Sequence, residues 1–103
     1  MEFRYAPIYI GSPLERDGSY HQGTVWGWLI GPFVDAYRKV HVADAGLKKQ
    51  VDKILAGFES HLSNAMIGQV AEIFDANVPH LPRGAAGQAW SVAELLRVSN
   101  SNK

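Results

Sequence analysis

The feature that most restricts how this chain can fold is a pair of stretches with almost no polar side. After Thr24, which is predicted to cap a helix, come Val25, Trp26, Trp28, Leu29, Ile30, Phe33, Val34, Ala36, Tyr37 and Val40. Projected at the helical period, these leave no polar face until Asp35 and Arg38. Gly27, Gly31 and Pro32 interrupt the run. Pro32 removes an intrahelical hydrogen bond, so a kink or a restart is predicted there. The second stretch, residues 88–98, is covered by Ala89, Trp90, Val92, Ala93, Leu95, Leu96 and Val98. Only Ser91, Glu94 and Arg97 form a thin polar stripe. A helix apolar nearly all round belongs inside something, so both are predicted to be inner helices.

The stretch between them differs in kind. Asp44 is predicted to cap it, and Leu47, Val51, Ile54, Leu55, Phe58 and Leu62 form one apolar stripe. Lys48, Lys49, Gln50, Asp52, Lys53 and Glu59 make the opposite side a solvated face. Residues 1–23, broken by Pro7, Gly11, Pro13, Gly18 and Gly23, are predicted to be extended chain and loop, with a short strand at Ile8–Ile10. Residues 63–87 form a second long loop with an extended piece within Ile67–Phe74, and the polar tail 99–103 is expected to fray. Three main helices thus alternate inner, outer, inner, and both long loops deliver the chain to the N-terminus of an inner helix. That places the loops at one end, where backbone N–H groups favour polar and anionic ligands. One amphipathic helix cannot surround two apolar ones, and each exposed Trp or Leu forfeits roughly 1.5–3 kcal/mol. Residues 1–103 therefore read as a single incomplete all-α domain: a piece of a longer protein, or a chain that associates with itself.

Composition removes several functions. Ten Lys and Arg balance ten Asp and Glu, and no basic block is available to neutralise phosphates, which argues against nucleic acid. Without cysteine there is neither a disulfide framework nor a thiolate metal site. His21, His41, His61 and His80 lack ligand spacing, so no metal is expected, and nothing calls for a cofactor. The N-terminus lacks a signal-peptide pattern, and no apolar run reaches the ~18 residues of a membrane span. A soluble, cytoplasmic chain is the expectation.

The chemistry is expected in the two loops. Glu72 is a lone acid among apolar neighbours in Gln69-Val-Ala-Glu-Ile-Phe-Asp75, and a helix opens sixteen residues later at Gln88-Ala-Trp90. A carboxylate on a loop beside tryptophans suits a sugar-cleaving site; a helix cap or an ion pair with Arg83 would explain it without chemistry. The facing loop, Arg16-Asp-Gly-Ser-Tyr-His-Gln-Gly-Thr-Val-Trp26, offers Arg16 and Asp17 as directional partners for sugar hydroxyls, or else as partners in a salt bridge. Trp26 and Trp90 are stacking platforms or core.

Four segments, RDGSYHQGTVWGWLIGPFVDAY (16–37), GQVAEIFD (68–75), PHLPRG (79–84) and QAWSVAELLR (88–97), resemble the C-terminal end of the glycogen debranching enzyme family, its amylo-alpha-1,6-glucosidase part. The resemblance implies a sector of an (α/α)6 toroid, an α-glucan of the glycogen or limit-dextrin type as partner, and inverting hydrolysis of α-1,6 branch glucose. The more distant glucoamylases are similar in the spacing of Tyr20, Gly23 and Trp26 and in a glutamate about 18 residues before a Trp-Ser pair. By that similarity Glu72 matches the general base, while Tyr20, His21, Gln22, Trp26, Arg83, Gln88 and Trp90 fall among sugar-binding positions. The family's general acid belongs to a region upstream of anything here, and Gly27 stands where relatives usually carry proline.

Overall fold

The computed structural model describes residues 4–102. The chain runs α1 (Pro13–Ser19), β1 (Val25–Trp26), a 3-10 turn (Gly27–Leu29), α2 (Ile30–Val40), α3 (Leu47–Ala56), α4 (Glu59–Leu62), β2 (Ile73–Phe74), β3 (Pro82–Arg83) and α5 (Ala89–Asn100). The three long helices are the predicted ones. The small antiparallel sheet, ordered β1-β2-β3, is an addition to the all-α expectation.

The two apolar stretches pack against each other. Helix α2 and the turn before it lie on α5, and α3 also meets α5. Val34, Val51 and Val98, one from each long helix, are fully buried at the centre, with Ile30, Tyr37, Leu47 and Leu55 around them. The stripe on α3 is thus its inward face. The inner helices are less covered than their sequence demands: Phe33 is 53% exposed, Val40 77% and Leu96 57%.

Pro32 is accommodated by the predicted restart. The 3-10 turn ends at Leu29 and α2 begins at Ile30, so Pro32 falls in the first turn, where its missing N–H has no intrahelical acceptor to serve. Thr24 is not the cap; its hydroxyl donates to the Tyr20 carbonyl, and Trp26 and Leu29 precede the turn and the helix. Asp44 sits two residues too early to cap α3. Its Oδ1 accepts from the N–H of Gly46, the residue that does occupy the cap.

Three further expectations fail. Residues 8–10 form no strand. Residues 13–19 are helical, entered through a capping box in which Ser12 Oγ accepts from Glu15 N–H and Glu15 accepts from Ser12 N–H. The end of the chain is not frayed through residue 102. Helix α5 continues to Asn100, and Asn102 is buried, donating to the Asp52 carboxylate and accepting from Arg38. No helix among the described residues is long and apolar enough to cross a membrane.

Candidate active site

The sheet, small as it is, joins the two loops. Trp26 lies opposite Ile73, Ile73 lies opposite Arg83, and beyond the ladder Gly27 N–H donates to the Glu72 carbonyl at 3.3 Å. The end of the 16–26 loop and the strand carrying Glu72 are therefore adjacent in the backbone.

Glu72 is half-buried and held from the turn that follows the third strand. Its N–H donates to the Ala85 carbonyl at 2.9 Å, and its Oε2 accepts from Ala85 N–H at 3.0 Å. Gly84 makes room for this. It turns at φ +66°, and a Cβ there would stand 2.9 Å from Glu72 Oε2. Oε1 of Glu72 has no intramolecular partner among the described residues. The alternative partner considered for Glu72, Arg83, is engaged elsewhere. Its Nε and Nη2 donate to the buried Asp75 carboxylate at 3.0–3.2 Å, and Asp75 Oδ1 also accepts from Tyr9 N–H at 3.0 Å. Burial by itself would raise the Asp75 pKa, but the Arg83 hydrogen bonds, the Tyr9 N–H and the guanidinium charge together hold it below the ordinary carboxylate value.

The aromatic residues of the first loop form one wall. Trp26 takes the His21 imidazole flat against it (4.7 Å, 2° between planes) and the Tyr20 ring edge-on (4.7 Å, 70°), and its Nε1–H donates to the Tyr20 carbonyl. Trp90, half exposed at the start of α5, meets Trp26 edge-on at 6.3 Å and Trp28 at 5.5 Å. Tyr20, His21, Trp26, Trp28, Gln88 and Trp90 thereby border a cleft of about 500 Å³. Gln88 Oε1 accepts from Ser91 Oγ–H, and its NH₂ group has no partner among the described residues. The half-exposed Trp90 indole beside hydrogen-bonding groups suits the two surfaces of a sugar ring, one apolar and one hydroxylated.

The other candidates lie around this cleft rather than on its rim. Arg16 places its guanidinium over the Tyr9 ring at 5.8 Å, with Nε out of solvent and without a hydrogen-bond partner among the described residues, and Tyr9 in turn packs on Tyr20 at 5.6 Å. Asp17 is exposed on α1. Gln22 is fixed through its backbone, with N–H to Ser19 and C=O accepting from Ala6. Glu72, just before β2, and Arg83, on β3, belong to the neighbouring strands of the sheet and do not border this cleft.

A family model described as amylo-alpha-1,6-glucosidase matches residues 1–97. The chain belongs to that family. No solved structure matches it. Within an amylo-alpha-1,6-glucosidase chain, the segments that carried the resemblance are the ones the sheet assembles: the middle of 16–37, with 68–75 and 79–84, supplies its three strands, and 88–97 supplies Trp90. Gly27 has a close local setting here. Gly27 is buried, its N–H serves Glu72, and a Cβ would come within 3.1 Å of the Ala71 carbonyl.

Sequence reasoning missed Trp28 and Leu29 as cleft residues, because it assigned them to a continuous buried helix. It missed Tyr9 because a loop has no period to mark it. Asp75 and Arg83 carry a legible signal, two opposite charges at the ends of short strands, but sequence reasoning weighs Arg83 as a sugar-binding residue or as an ion-pair partner of Glu72, not of Asp75.

Proposed function

We propose that this chain is the C-terminal sector of an (α/α)6 toroid that hydrolyses α-1,6-linked branch glucose with inversion, and that Glu72 is its general base. The observation that carries this is the β1–β2 pairing, which sets the Glu72 strand beside Trp26 and its aromatic wall. In this reading the cleft holds the terminal glucose, with Trp26 and Trp90 against its apolar face and Tyr20, His21 and Gln88 supplying polar groups. Arg16, Asp17 and Gln22 steady that loop or reach outer hydroxyls.

The base needs one oxygen anchored and one available. Oε2 is tied to Ala85 N–H, leaving Oε1 to accept a proton from water as that water attacks the anomeric carbon. The departing glycosidic oxygen must take a proton from a second carboxyl group, ~6.5–9.5 Å from the first in inverting enzymes. No residue here fills that part; the rest of the toroid supplies it. Without the acid, much of a ~10²–10⁴-fold contribution is lost, so the chain by itself binds glucan and turns over little. A glycogen-type substrate places the work in the cytoplasm.

The alternative is a glucan-binding or fold-completing piece without catalysis. It draws on the position of Glu72 outside the cleft rim and on a second, apolar cleft of about 790 Å³ bordered by Leu29, Phe33, Phe58 and Phe74. In the first reading this cleft receives missing helices of the toroid; in the second, another polypeptide or a second copy. Limit dextrin separates them. With the upstream part of the toroid supplied, release of β-glucose that Glu72→Gln abolishes supports the catalytic reading. Undiminished release by Glu72→Gln refutes it.

A further inference from the structure

The segment that leads into Glu72 is pinned by a histidine. Ala71 is fully buried, and its N–H donates to His61 Nε2 at 3.1 Å. A backbone N–H cannot accept, so this bond exists only while Nε2 carries a lone pair, with the ring neutral and its proton on Nδ1. The ring is fixed edge-on against Phe74 at 4.8 Å, and it borders the apolar cleft together with Ser60, Asn64 and Pro82. His61 therefore ties α4 to both sides of Glu72: to Ala71 by a hydrogen bond and to Phe74 by ring packing.

We propose that His61 is a positioning residue for Glu72, a latch that holds the strand while neutral and releases Ala71 when protonated. A protonated ring would place two donors head to head in a buried setting, and the Ala71 N–H would be left without a partner. The groups around His61 leave the latch to its own titration. On its own turn Glu59 is exposed. On the β2 and β3 side Asp75 and Arg83 satisfy each other, and Glu72 turns its Oε2 to the Ala85 N–H. From the 79–82 segment His80 is the other titratable group bordering the cleft, and its Nδ1 is bonded to the Asp75 carbonyl. From α2, Ile30 and Phe33 bring no charge. Burial pushes the His61 pKa below the ordinary histidine value. The folded state thus prefers the neutral ring. Its stabilisation is complete above the unfolded pKa of ~6.5 and is lost as pH falls from there through the folded value.

The test does not depend on whether the chain cleaves or binds sugar. Amide hydrogen exchange on the full chain, corrected for the intrinsic pH dependence, should show protection at Ala71 falling roughly tenfold between pH 7.5 and 5, the scale of losing one buried hydrogen bond. His61→Gln, whose carbonyl accepts without titrating, should keep Ala71 protected at both pH values. Equal protection of wild type at both values, or the same fall in His61→Gln, overturns the proposal. Should that variant not fold, ring ¹⁵N shifts of wild type at pH 7.5 decide: a proton on Nδ1 is required, and one on Nε2 refutes the latch.

Discussion

At the scale of single residues, what decides the site is which carboxylate is satisfied by what. Asp75 is buried and has its charge met by Arg83; Glu72 is half-buried and is met by one backbone N–H. The first arrangement is structural and the second leaves capacity for chemistry. Arg83→Met should therefore cost about 2–3 kcal/mol in urea unfolding, because a buried carboxylate keeps only the Tyr9 N–H. The same pair gives a pH signature. The Asp75 pKa is depressed in the folded chain, so its stabilisation is present above the unfolded value of ~3.9 and lost as pH falls through the folded one. Arg83→Met should flatten that acid limb. Gly84→Ala should cost about 1–2 kcal/mol, since a side chain must take up the left-handed conformation and also displace Glu72. In ¹H–¹⁵N spectra that variant should move the Ala85 amide.

At the scale of elements, the long helices were legible and the connections were not. Apolar period marked α2, α3 and α5 because each buries side chains in one shared core. Helix α1 buries nothing, so no period could reveal it, although Ser12-Pro13-Leu14-Glu15 spells a capping box with proline at its first helical position. The strands are two residues each, too short to alternate visibly. β1 forms because its partner β2 is delivered from nearly fifty residues away, which only tertiary structure shows, and β2 meets β3 across the irregular segment 75–81. The C-terminus was misjudged for a similar reason. A polar tail reads as solvated, yet Arg38 on α2 reaches Asn102, the Val98 carbonyl and Ser101, and Asn102 reaches Lys48 and Asp52 on α3. Asn102→Ala should loosen that three-way tie by about 1–2 kcal/mol, seen as faster amide exchange over the last turn of α5 before any change near the sheet.

At the scale of the whole molecule, the inner helices keep apolar side chains in solvent on one side while the loops at one end close into a sheet and an aromatic wall. Glu72 and Trp26 were expected at one end from the alternation of inner and outer helices, and the strand pairing puts their backbones side by side. What sequence could not supply was the direction of each side chain: Arg83 turns to Asp75, and Glu72 turns to Gly84 and Ala85. The central claim is that the aromatic cleft and Glu72 serve one glucose unit. Titrating the ¹⁵N-labelled chain with an α-1,6-branched gluco-oligosaccharide tests this most directly. The indole N–H signals of Trp26 and Trp90 and the Ala85 amide should shift along one binding curve, and Trp26→Ala should remove all three responses. Shifts confined to the indoles, with the Ala85 amide unmoved at saturation, would contradict it.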